Sequence, residues 1–167
     1  EIFRGDSYQI LFDNTLESLK RSIQLICWFK SHSEPRDKVF LSTRISIGIG
    51  KVAYRGKNVL SSDGEAFHLS GRNFDQMKSW ELIRIHTNNE EKNNTIEVIL
   101  NFVNKILNQW TIAQAEVIFE LLENKTQQEI GKKLQLSQPS VNSRIKLANW
   151  KDVELALDFI AELADKR

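Results

Sequence analysis

Between Lys125 and Lys151 the chain carries six basic residues, Lys125, Lys132, Lys133, Arg144, Lys146 and Lys151, against one acid, Glu129. Gln138, Ser140, Asn142 and Ser143 are interleaved with them. Amide and hydroxyl groups hydrogen-bond the edges of bases, and ammonium and guanidinium groups hold phosphates. The chemistry expected is therefore contact with double-stranded DNA. Gln138, Ser140, Asn142 and Ser143 are the candidates for bases, and Lys132, Lys133, Arg144 and Lys146 for phosphates. The neighbouring segments are acidic: Glu116, Glu120 and Glu123 precede, and Asp152, Glu154, Asp158, Glu162 and Asp165 follow. Positive charge is confined to one stretch, as a footprint on phosphate requires.

The elements that would present these groups are two short helices. Thr126 with Glu129 three residues on is a capping box, so a helix starts there. Ile130 and Leu134 fall on its inner face. Gly131 lies beside them, where two steeply crossing helices need little bulk. Gln135 and Leu136 form a turn. Ser137 caps the second helix, with Pro139 tolerated in its first turn. Val141 and Ile145 then face inward. A plain helical pair that meets another protein has the same pattern, and a scaffold remains an alternative.

At 167 residues the chain holds one domain or two small ones, and 41% apolar residues suffice for real cores. A net charge of +1 excludes a generally basic nucleic-acid coat, so binding must be local. Cys27 is the single cysteine; in an apolar helical stretch it reads as a buried, reduced thiol. That suits a cytoplasmic protein. No apolar run has the length of a membrane span, and no membrane partner is expected.

Glu1–Phe3 and Tyr8–Phe12 read as a hairpin around Arg4-Gly5-Asp6-Ser7. A helix runs from Thr15 to about Ser31, and a polar loop follows to Asp37. Residues 43–54 read as one strand with Ile45, Ile47 and Ile49 on one face and Ser46, Gly48 and Gly50 on the other. The glycines there suit close helix packing better than nucleotide entry. Glu65 to about Met77 reads as a helix, and Trp80–His86 as a strand. Residues 88–94 are polar and read as a linker. The rest is helical, at about 95–109, 111–124, 126–134, 138–149 and 152–164, with Trp110, Phe119, Trp150 and Phe159 as core. The fold class expected is α+β: residues 1–87 as an α/β domain and 95–167 as an all-α helix-turn-helix domain. The last helix is apolar over more than one stripe. It fills a core or pairs with a second copy, and a homodimer through residues 152–164 would space two reading helices along one duplex.

Two further motifs carry a resemblance. Arg4-Gly5-Asp6-Ser7-Tyr8, and the strand Arg44–Gly50 followed by Gly64–Arg72, are similar to class III nucleotidyl cyclases and the wider ferredoxin-like palm group. The resemblance implies that Asp6 is a metal ligand. It also implies that His68 and Arg72, at the positions of an Asn and an Arg in that family, face a reacting phosphate. Their spacing of four puts both on one helix face. His68 departs from the family's asparagine, and a first strand bearing a second aspartate is not in the sequence. The chain, which begins without Met, reads as a fragment of a palm. One aspartate holds Mg2+ poorly, so Mg2+ or a nucleotide is expected only in an intact protein. The Gly-Asp hairpin, the Ile-Gly-Ile-Gly strand and the Gly-Glu-Ala-Phe helix together resemble the bacterial SatD-like family, which implies a cytoplasmic bacterial protein. Residues 126–146 resemble the helix-turn-helix of LuxR-type regulators and of the fourth region of sigma factors, through Leu136-Ser137 and Ser140-Val141.

Plainer roles stand beside these. Asp6 can simply stabilise a turn after Gly5. His68 can be a packed or surface histidine. Arg72 can end its helix or pair with Glu65 or Asp75. The function these readings favour is a DNA-binding regulator with a degenerate cyclase-like sensory or interaction domain. A nucleotide-processing enzyme is the alternative.

Overall fold

The computed structural model describes residues 2–3, 7–34 and 40–166. The chain is α+β, with two-stranded sheets among the described residues and a majority of helix. The expected hairpin is present as β1 (Ile2–Phe3) antiparallel to β2 (Ser7–Tyr8), with no strand from Gln9 to Phe12. Helix α1 (Thr15–Ser31) starts where Asn14 accepts the Glu17 N–H. Leu19, Ile23, Ile26 and Cys27, three or four apart, are buried on one side. That side packs against α4 (Ile112–Leu122) and α7 (Trp150–Asp165), far along the chain.

The stretch 43–54 is two strands rather than one. β3 (Ile45–Gly48) pairs in parallel with β6 (Ile83–His86), whereas β4 (Val52–Tyr54) pairs antiparallel with β5 (Asp63–Gly64). The break falls at Gly50 and Lys51, where Glu65 accepts the Lys51 N–H and turns the chain toward a different partner. The apolar alternation changes phase at that point, from Ile45, Ile47 and Ile49 to Val52 and Tyr54. Helix α2 (Glu65–Gln76) crosses between β3 and β6. Its backbone lies on β3: a Cβ at Gly48 would sit 2.1 Å from the Ala66 carbonyl oxygen and 2.6 Å from the Ser70 nitrogen. Ser46 Oγ donates to the Ser70 carbonyl at 2.8 Å. Close packing is thus what this glycine serves.

Helix α3 runs Glu90–Gln109, so residues 88–94 are not a linker. Asn89 caps it by accepting the Lys92 N–H, and the polar character of its first turns reflects exposure rather than absence of helix. Two buried asparagines on α3 grip β6. Asn104 Oδ1 accepts the N–H groups of Leu82 at 2.8 Å and Ile83 at 3.0 Å, and its Nδ2 donates to the Ile83 carbonyl. Asn93 does the same for Thr87, accepting its N–H at 2.8 Å and donating to its carbonyl at 3.0 Å. One apolar core therefore runs from α1 through β6 and α3 to α4 and α7.

Helices α5 (Gln127–Leu134) and α6 (Gln138–Leu147) follow α4. α7 begins at Trp150, two residues earlier than the pattern indicates, with Asn149 in a left-handed conformation at φ 49°. Trp110 and Trp150 are core, and the Trp110 indole donates to the Ala148 carbonyl at 2.8 Å. Phe119 packs at the core's margin. Phe159 does not belong there: it is 46% exposed, because the α7 face that packs inward is Val153, Leu157 and Ile160.

Candidate nucleic-acid interface

Three capping boxes and caps, each closed within three residues, build this end of the molecule. Thr111 and Gln114 open α4 reciprocally. Thr126 and Glu129 open α5, the Glu129 carboxylate accepting the Thr126 N–H at 2.8 Å. That bond, joined by one from the Thr126 hydroxyl, holds the Glu129 carboxyl below its ordinary range. Ser137 opens α6 by accepting the Ser140 N–H, with Pro139 in the first turn. Between α5 and α6, Gln135 takes the left-handed conformation at φ 55° and ψ 44°. This residue turns the chain. Gly131 makes room for it: a Cβ there would lie 2.8 Å from the Leu136 carbonyl oxygen. Val117, Ile130 and Val141 are fully buried where α4, α5 and α6 meet, with Leu121, Leu134, Leu136 and Ile145 around them.

Burying Val141 turns the rest of α6 outward. Gln138, Ser140, Ser143 and Lys146 are exposed, and Asn142 is half-buried. The expected phosphate contacts divide into two kinds. Lys132 and Lys146 are exposed and form no ion pair with any described residue. Lys133 instead pairs with Glu120 at 2.6 Å, and Arg144 donates to the Ala113 carbonyl at 3.4 Å and approaches Glu116 at 3.8 Å. These two cations are spent on α4, which the spacing of charges along the sequence does not reveal. Glu120 also receives Lys125. Burial would raise the Glu120 carboxyl, but hydrogen bonds from Lys125 and Lys133 outweigh it and hold the group below its usual range.

A shallow open depression beside α5 is bordered by Lys132 and Gln138, both expected contacts, and by Gln135 of the turn, around Gly131; Gln127 and Gln128, which the sequence did not single out, complete it. The density of glutamine from 127 to 138 was the available signal.

The second candidate site is sparser. His68 and Arg72 are both exposed on α2. His68 Nε2 lies 3.0 Å from Asp63 Oδ1, so it is a surface histidine with a carboxylate partner. Arg72 pairs with neither Glu65 nor Asp75 and has no ion-pair partner among the described residues. Asp6, the expected metal ligand, lies outside the described residues, as do Arg4 and Gly5. Among the described residues no group of three His, Cys, Asp or Glu side chains is placed to hold a metal ion, and no helix is long and apolar enough to cross a membrane.

Comparison with family models, curated proteins and solved structures gave no match for this chain.

Proposed function

We propose that the chain is a DNA-binding regulator that reads duplex DNA with α6 and holds its phosphates with Lys132 and Lys146. The observation that carries this is the division of α6: Val141 fully buried, with Gln138, Ser140, Ser143 and Lys146 turned to solvent. A helix presented this way has the width and the donor and acceptor groups that the major groove admits. The glutamines around Gly131 extend the same polar surface onto α5. Residues of the α/β part, resembling a SatD-like, degenerate cyclase palm, act as a sensory or interaction domain, with His68 and Arg72 on the face offered to an anionic ligand. A cytoplasmic setting fits the reduced, buried Cys27. A homodimer through α7 fits its exposed Leu155 and Phe159, four apart on the outer face; sedimentation of a monomer at micromolar concentration removes that element.

The experiment is duplex binding measured at several salt concentrations. Each phosphate contact contributes a slope of about −0.9 in log K against log salt, so Lys146→Ala and Lys132→Ala each flatten the slope by about one. Asn142→Ala changes the preference among sequences while keeping the slope. Binding that is absent, or indifferent to salt, overturns the reading and leaves a protein-binding helical pair.

A further inference from the structure

The two edges of the β3–β6 sheet are treated differently, and the difference points to a docking site. In a parallel pair, alternate residues turn their main-chain groups to the partner strand. Ile45 N–H bonds to Leu82 and Ile49 N–H to His86, each at 2.8 Å, so Ile45, Ile47 and Ile49 face β6. On β6 the groups of Ile83 and Thr87 turn to the outer edge, and Asn104 and Asn93 cap each of them, donor and acceptor together. Ile85 lies between the two under α3, beside Leu100. That edge is closed at Ile83 and Thr87 by side chains that mimic a neighbouring strand, and at Ile85 it is covered by the packing of α3 rather than by hydrogen bonds from described residues.

The outer edge of β3 has no such cover from the described residues. Ser46 and Gly48 turn their N–H and carbonyl groups there, and no described residue bonds to them. Bare edges of this kind pair with further strands. The hairpin comes near without closing it: the Tyr8 hydroxyl reaches Thr43 Oγ1 at 2.9 Å, yet β2 and β3 share no ladder.

We infer that the β3 edge seats one lone extended segment of another polypeptide, apolar at alternate positions and small between them. The side chains along β3 set this chemistry. Ile45, Ile47 and Ile49 are only half-buried on the core side of β3, so their flanks call for apolar cover. The opposite face offers Ser46 and Gly48 beneath the α2 backbone, where bulk has no room. Lys51, exposed beyond one end, favours an acidic residue on the segment there, whereas Arg44 at the other end donates to the Met77 carbonyl at 3.4 Å and lies over the Phe74 ring.

The test uses the whole chain and a synthetic peptide, acetyl-Asp-Val-Ser-Val-Ser-Val-Asp-amide. Amide hydrogen exchange at Ser46 and Gly48 is fast in the free chain and slows at least roughly tenfold when the peptide is added. Ser46→Pro removes the outward N–H and leaves the ladder to β6 intact, as edge prolines do. It abolishes peptide binding, whereas Ser46→Ala, which loses only the hydroxyl, retains it. Amides already protected in the free chain mean that the edge is covered from within, and protection that grows with protein concentration alone means self-association. Either result overturns the proposal, as does peptide binding that survives Ser46→Pro or is absent from the unaltered chain.

Discussion

The α4–α6 unit and the β3–α2–β6 unit are held together over different ranges of sequence. In the first, the bonds that define each helix close within three residues, as between Thr126 and Glu129 or Ser137 and Ser140. In the second, the decisive bonds span the fold: Asn104 to Ile83, and Ser46 to Ser70. A helical pair specified locally leaves its outer side chains free for a ligand. A two-stranded parallel sheet cannot stand on its own pairing, and needs side chains from another element to finish its edge.

That contrast is broken or sharpened first by Asn104→Ala. It strands the N–H groups of Leu82 and Ile83 and the Ile83 carbonyl in a buried place, at a cost of about 3 kcal/mol, since each unmet buried group costs about 1–3 kcal/mol. Thr126→Ala removes only an exposed cap and costs about 1 kcal/mol. Chemical denaturation measures both. If the two changes cost the same, the sheet does not depend on its asparagines and the contrast fails.

What could be read from the sequence follows the same division. The expected spans 126–134 and 138–149 lie within two residues of α5 and α6, because caps, glycine and proline are local marks that need no partner elsewhere. The role of Gly131 was legible for the same reason. Asn93 and Asn104 were not: they sit in a helix, and their partners are strand main chain that carries no sequence signal. The start of α3 was missed because exposed Glu90, Glu91 and Asn94 resemble a linker in composition. Phe159 was misplaced because a broad apolar stripe does not say which part faces inward. Within the candidate interface, the exposed residues of α6 were legible, and the capture of Lys133 by Glu120 was not.

Lys133→Ala tests that last point against Lys146→Ala. Lys146→Ala flattens the salt dependence of duplex binding by about one contact and leaves stability nearly unchanged. Lys133→Ala leaves the slope nearly unchanged and lowers stability, because Glu120 is buried and loses a partner. Equal slopes for the two variants would mean that Lys133 lets go of Glu120 to meet phosphate.

Acid gives a smaller effect at the same joint. Folding makes the Glu120 carboxyl easier to ionise than in the unfolded chain, through its bonds to Lys125 and Lys133. The stability it supplies is complete above the unfolded value of about 4.3 and fades as pH falls through the lower folded value. Glu120→Gln lowers the melting temperature at neutral pH, and the gap to the unaltered chain narrows below about pH 4. Melting curves from pH 7 to 3 measure it. A gap of constant size would show that the carboxylate's charge is not what joins α4 to α5.

The smallest effects belong to His68 and Arg72, and their smallness is informative. Both side chains are exposed; the bond between His68 and Asp63 is a surface pair, and Arg72 has no acidic partner among the described residues. Exposed pairs contribute about 0–1 kcal/mol, so His68→Ala and Arg72→Ala each change folding stability by less than about 0.5 kcal/mol. The proposed duplex binding through α6 is equally untouched, since neither residue lies on α5 or α6. Any loss in the binding of an anionic ligand such as a nucleotide triphosphate, titrated by chemical shift at α2, then reports on that face alone. A stability cost above about 1 kcal/mol for either change would instead make the residue part of the sheet's support, and α2 would offer no separate anion-binding face.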